Sequence, residues 1–172
     1  GEKADLGIMI TASHNPKQYN GFKIVVRDEV IDGETLQQLK QLMHLPSPKP
    51  QHLGQLIAVD MSKIYLNAIT QSCNPKKNFK LVVDAGNAVA GPLAKQLFTQ
   101  LGYDFTPIFC TPDGEFPNHD PNPSDEKNLL SLRETVAANN ADLGFALDGD
   151  GDRLVVITRS GAIVWPDQLM IL

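Results

Sequence analysis

Hydrophobic positions along the chain fall into short runs, divided by polar stretches rich in glycine and proline. Residues 5–10 (Asp-Leu-Gly-Ile-Met-Ile) form a nearly continuous apolar run, as in a buried strand. A polar stretch with His14, Asn15, Pro16, Asn20 and Gly21 reads as a loop, and Phe22 to Val26 resume strand character. Asp32 is placed to cap a helix from about Gly33 to Met43, with Glu34 in its first turn. Pro46, Pro48 and Pro50 cannot continue that helix, which predicts a linker across roughly residues 44–58.

A second series opens with a helix over about residues 60–72. Lys80 to Asp84 is a strand running into the loop Ala85-Gly86-Asn87, followed by a helix from about Gly91 to Leu101 and a strand from Tyr103 to Phe109. Residues 111–124 carry four prolines and read as a long ordered loop. Ser124, Asp125 and Glu126 open a helix in which Leu129, Leu132 and Val136 recur at helical spacing. Asp142 to Leu147 and Leu154 to Thr158 are strands. Ser160-Gly161 turns the chain into Ala162 to Trp165, and Pro166 is suited to start a helix. Alternating strands and helices predict an α/β fold: α/β/α layers on a mixed, mostly parallel sheet, with active loops at the carboxyl ends of strands. A short repeat, Ala4-Asp5-Leu6-Gly7 and Ala141-Asp142-Leu143-Gly144, leads in each copy through an apolar strand to a chemically loaded loop. It suggests two related units facing a common cleft.

Composition changes this picture only by exclusion. The chain has 172 residues, 42% hydrophobic and 20% charged, which suits a soluble globular protein with a real core. A net charge of -5, with acidic residues dispersed, gives no footprint for nucleic acid or anionic membrane. Cys73 and Cys110 lack metal-ligand spacing and are expected as reduced thiols in a cytoplasmic protein. No run approaches a membrane span, and no signal peptide is evident. The chain opens almost directly into an apolar run and closes on Leu169-Met170-Ile171-Leu172, so both ends read as cuts in a longer protein.

Two loops carry chemistry. In Asp148-Gly149-Asp150-Gly151-Asp152-Arg153, three carboxylates at alternate positions repel one another in a relaxed strand. A tight glycine-bearing loop can turn them inward around a hard divalent cation, magnesium or calcium. An EF-hand requires Gly sixth and Glu twelfth, where this sequence has Arg153 and Arg159. Arg153 itself offers a guanidinium fork to a phosphoryl oxygen. The second loop, Thr11-Ala12-Ser13-His14-Asn15-Pro16, presents a serine on a sharp strand-to-loop turn. It lacks the Gly-x-Ser-x-Gly elbow of hydrolases, and residues 86–91 lack the Lys-Ser/Thr ending of a nucleotide loop.

Together with Asn20-Gly21-Phe22-Lys23, Asp113-Gly114-Glu115-Phe116-Pro117-Asn118-His119 and Ile163-Val164-Trp165-Pro166-Asp167, these loops resemble the signatures of the α-D-phosphohexomutase family, on its bacterial mannose/glucose side. The likeness runs through essentially the whole chain. It implies that Ser13 is phosphorylated and gives its phosphoryl group to a hexose phosphate, making a hexose 1,6-bisphosphate. After the sugar reorients, the other phosphate returns to the serine. It further implies that Asp148, Asp150 and Asp152 hold Mg2+ with an oxygen of phosphorylated Ser13. His14, Lys23 and Arg153 match positive groups around the phosphate, with Lys23 a candidate for proton handling. Residues 1–56 would then be the end of a first domain plus linker, 57–160 a second domain carrying the metal loop, and 161–172 the start of a third. The remaining domains of the parent would be needed for turnover. Two other readings stay open: an aspartyl-phosphate phosphatase or transferase with Asp148 as nucleophile, and a non-catalytic cation-binding module.

Overall fold

The computed structural model describes residues 4–47, 49, 52–73, 75 and 79–171. Two compact units emerge, one of residues 1–11 with 20–60 and the other of residues 12–19 with 61–172. Pro48 and Pro50, used to place the linker, lie outside the described residues, as does Leu172 at the end of the C-terminal apolar run.

In the first unit β1 (Leu6–Ile10) pairs antiparallel with β2 (Phe22–Val26), from Leu6 opposite Val26 to Ile10 opposite Phe22. β3 (Glu29–Val30) continues the sheet on β2 after a turn in which Arg27 takes a φ of 54°. α1 (Gly33–Leu42) starts after Asp32, which stands at the capping position but makes no side-chain cap bond. The strand expected over 5–10 forms, but its burial does not: Leu6, Ile8, Met9 and Ile10 are all exposed. The physical reason is a shortage of covering layers, since α1 is the unit's one helix among the described residues and contributes no buried side chain.

The second unit is layered. Its sheet runs in the order β5 (Asp104–Ile108), β4 (Lys80–Asp84), β6 (Leu143–Leu147), β7 (Leu154–Thr158), β8 (Ile163–Val164). The β4/β5 and β4/β6 ladders are parallel, whereas β6/β7 and β7/β8 are antiparallel. The sheet is therefore mixed as expected, with parallel pairing confined to one half. One face is covered by α4 (Leu130–Ala138), entered through a 3-10 turn at Glu126–Leu129 in which the Asp125 carboxylate accepts from the Lys127 N–H. Leu129, Leu132 and Val136, the residues at helical spacing, pack there on Val82, Ala146, Val155 and Ile157. Burying each such side chain contributes about 1.5–3 kcal/mol, so this seam anchors the unit. Gly144 lets α4 sit close, because a Cβ at that position would lie 2.7 Å from a Val136 methyl. On the other face lie α2 (Ser62–Ser72) and α3 (Ala90–Gln100), with Phe98 stacked 5.9 Å from Phe145. Pro166 opens α5 (Pro166–Leu169), and β8 extends the same sheet as β7. No helix among the described residues is long and apolar enough to cross a membrane.

Candidate phosphoryl-transfer site

The aspartate loop occupies the turn between β6 and β7. Backbone bonds close it, Asp148 N–H to Arg153 C=O at 3.2 Å and Gly151 N–H to Asp148 C=O at 3.1 Å, and Gly151 takes a φ of 77° that favours glycine. Asp148 is fully buried, Asp150 half-buried and Asp152 exposed, and each offers a carboxylate oxygen within 4.8 Å of the others. Oxygens on one magnesium ion stand about 3 Å apart when adjacent and about 4.2 Å when opposite, given Mg–O bonds near ~2.1 Å. The donor set is all hard oxygen with excess negative charge, so the residues fit such an ion.

The serine loop reaches this cluster. Thr11 N–H bonds Gly21 C=O at 3.0 Å where the loop leaves and rejoins its strands, and Asn15 N–H bonds Ala12 C=O at 3.0 Å within it. Ser13 adopts a φ of 54°, a strained backbone for a non-glycine residue. Its Oγ donates to Asp148 Oδ2 at 3.3 Å and lies 3.3 Å from His14 Nδ1. The contact is made by backbone as well: a Cβ on Gly149 would fall 2.0 Å from the Ser13 carbonyl oxygen.

Arg153 ties the two loops. Its Nε and Nη2 both approach Asp148 Oδ2, at 3.0 and 2.8 Å, and its own N–H donates to Asp148 Oδ1 at 3.1 Å. Nη2 also meets His14 Nδ1 at 2.6 Å; a guanidinium only donates, so this contact uses the Nδ1 lone pair. Ser13, His14, Arg153 and the three aspartates are thus brought together in one unit. Lys23 stands in the other unit, exposed on β2 opposite Met9. A cavity of about 390 Å³ opens beside His14, lined also by Lys17, Gln18, Phe116, Asn122 and Asp125. Lys17 and Glu115 form an ion pair at its rim.

Several supporting residues escape a reading by motif. Asn122 Oδ1 and Ser124 Oγ accept from Arg153 Nη1 at 3.3 and 3.5 Å. His119 bonds through Nε2 to the Asp84 carboxylate at 3.0 Å and through Nδ1 to the Asp120 carbonyl at 2.9 Å. The Asp120 carbonyl can only accept, so Nδ1 donates to it, and protonation at Nε2 would let that nitrogen donate to the carboxylate as well. Burial pulls the His119 pKa down, but the hydrogen bond and charge of Asp84, aided by Asp120, outweigh it and hold the pKa above its ordinary value. Burial, then the charge of Asp84, pushes the Cys110 thiol up to about 11, so it is protonated and inert near neutrality.

A raised histidine pKa stabilises the fold fully below the unfolded value of about 6.5, and that contribution is lost as pH rises through the folded pKa. The melting-temperature advantage of wild type over His119→Gln is accordingly larger at pH 6 than at pH 8. An advantage independent of pH, read by differential scanning calorimetry, would show that the Asp84 pair is not protonation-linked.

The alpha/beta/alpha domain II model of phosphoglucomutase/phosphomannomutase matches residues 63–161, and the corresponding domain I model matches residues 1–46. The chain belongs to the phosphoglucomutase/phosphomannomutase family. A phosphomannomutase/phosphoglucomutase of Pseudomonas aeruginosa is 45% identical over 166 residues, which cover 96% of this chain and 36% of that protein. A phosphoglucomutase of Neisseria meningitidis is 40% identical over 167 residues, with the same coverage. Among solved structures, a phosphoglucomutase/phosphomannomutase family protein from Burkholderia thailandensis superposes with a TM-score of 0.89 at 41% identity, over 99% of this chain and 37% of that one. The chain thus spans little more than a third of the length of these family members.

Proposed function

We propose that this chain is the phosphoserine- and metal-bearing part of an isomerase that interconverts hexose 1-phosphate and hexose 6-phosphate, with mannose or glucose as the sugar. The observation that carries the reading is Ser13 Oγ held 3.3 Å from Asp148 in the carboxylate cluster, with Arg153 bridging both loops. Phosphoryl transfer requires positioning and charge stabilisation more than covalent machinery, and this arrangement offers both.

In the forward half-reaction the bond between phosphorus and Ser13 Oγ breaks as a sugar hydroxyl oxygen bonds the phosphorus. The hydroxyl proton passes to a base, for which Lys23 is the candidate. The product is a hexose 1,6-bisphosphate, and its other phosphate returns to Ser13 once the sugar has reoriented. Asp148, Asp150, Asp152 and Ser13 would hold magnesium, which supplies the positive charge that offsets charge gathering on Ser13 Oγ. His14 lies 3.3 Å from that oxygen, and Arg153, which contacts both His14 and Asp148, is placed to orient the transferring group. Asp148 is 0% exposed and its oxygens are engaged by Arg153 and Ser13, which disfavours it as a nucleophile toward a sugar phosphate.

The exposed apolar strands of the first unit are those of a domain I whose remaining layers belong to the parent, with residues 57–160 as domain II and 161–172 leading into a third. The parent acts in the cytoplasm, with hexose phosphates and its own further domains as partners, and with neither nucleic acid nor membrane. The deciding experiment is peptide mass spectrometry on the parent enzyme and on this chain, after incubation with magnesium and glucose 1,6-bisphosphate. One acid-stable phosphoryl group on Ser13 is expected. A hydroxylamine-labile phosphate on Asp148 would move the assignment to aspartyl-phosphate chemistry. A parent that binds metal and takes no phosphate would be a cation-binding protein.

A further inference from the structure

Arg153 makes one set of contacts with groups that the reaction itself alters and another with groups that it leaves alone. Asp148 and His14 belong to the first set, because they share Ser13 Oγ. Asn122 belongs to the second. Its Oδ1 accepts from Arg153 Nη1 at 3.3 Å and from Ser124 N–H at 3.3 Å. Its main chain is braced as well: the backbone N–H bonds Asp120 C=O at 2.8 Å, the backbone C=O accepts from the buried Asn128 amide at 2.8 Å, and Pro121 and Pro123 on either flank are buried. A half-buried amide fixed in this way is a rigid bracket. An Arg side chain has many rotamers to lose when it is held still, and a fixed acceptor meets much of that cost before any substrate arrives.

We infer that Asn122 is the positioning residue for Arg153, holding its guanidinium in place while Asp148 and Ser13 change partners during phosphoryl transfer. The inference rests on the mutase reading for its consequence, but the bracket itself is a property of the loop. It also accounts for the prolines of that segment, since Pro121 and Pro123 fix the backbone around the one residue whose amide must not move.

The test uses the full-length parent as wild type, Asn122→Ala, which deletes the acceptor, and Asn122→Asp, which keeps an oxygen there. The direct readout is the Arg153 Nε–H signal in 15N-arginine NMR, assigned with an Arg153→Lys control. Solvent exchange of that proton is expected to quicken about tenfold in Asn122→Ala and to stay near wild type in Asn122→Asp. The second readout is steady-state kinetics: kcat falls about tenfold in Asn122→Ala with KM little changed, and Asn122→Asp recovers most of it. Unchanged Arg153 exchange in Asn122→Ala overturns the bracket, whatever the kinetics. Quickened exchange with equal loss in both variants, matched by equal loss of melting temperature, overturns the positioning role in favour of general loop support. A wild-type parent that takes no phosphate on Ser13 defeats the mutase reading instead, and the exchange measurement still decides the bracket.

Discussion

Gly149→Ala in the full-length enzyme is expected to lower kcat by about 100-fold while leaving the second unit folded. An added Cβ would lie 2.0 Å from the Ser13 carbonyl oxygen and 2.7 Å from its carbon, where real Cβ contacts do not go below 3.0 Å. Both atoms are backbone, so no side chain can rotate away, and the loops must separate by about an ångström. Misplacement of that size costs on the order of 100-fold when reacting groups are held in register. The core seam between α4 and the sheet is untouched, so the loss of stability stays within the roughly 1–3 kcal/mol of local overpacking. Turnover, Ser13 phosphorylation and a melting curve measured together check this. A kcat within threefold of wild type would mean that the separation of the two loops is immaterial to the chemistry.

Asp148→Asn is expected to weaken magnesium binding by about 100-fold or more and to cost about 2 kcal/mol of stability. The first effect follows from removing one of three charged ligands from a cluster that has only oxygen donors. The second has opposing parts. An amide NH2 at the Oδ2 position would face the donors of Arg153 Nε and Nη2, and breaking a buried ion pair one-sidedly costs about 3–5 kcal/mol. Arg153 is only half-buried and retains His14 and Asn122, and removing one charge relieves repulsion among the aspartates, so the net loss is smaller. Calorimetric metal titration and urea denaturation separate the two effects. An unchanged metal affinity would remove Asp148 from the cage.

The two candidate loops were legible because they are written in contiguous letters. Three aspartates spaced by glycines have few conformations available, and the serine turn stands at a strand end where a reading of the pattern puts it. The bracket and the His119–Asp84 pair were not, because they depend on partners 31 and 35 residues apart that meet only once the sheet has formed. The antiparallel half of the second sheet was legible in principle: six residues, 148–153, join β6 to β7, and a parallel crossover needs at least ~10–12. Burial of β1 was the harder matter. An apolar run states what a strand must hide and says nothing of what is present to hide it.

The serine loop, residues 12–19, packs with the second unit although the strands that bear it belong to the first. The chain therefore changes unit after residues 11, 19 and 60. Dissection at the linker, the natural place for a scissor, would yield a piece with the aspartate loop and without the serine loop. Anyone wishing to transplant this chemistry onto another scaffold has to move two discontinuous segments as a single cassette. The smaller is only eight residues long, short enough to be supplied as a peptide.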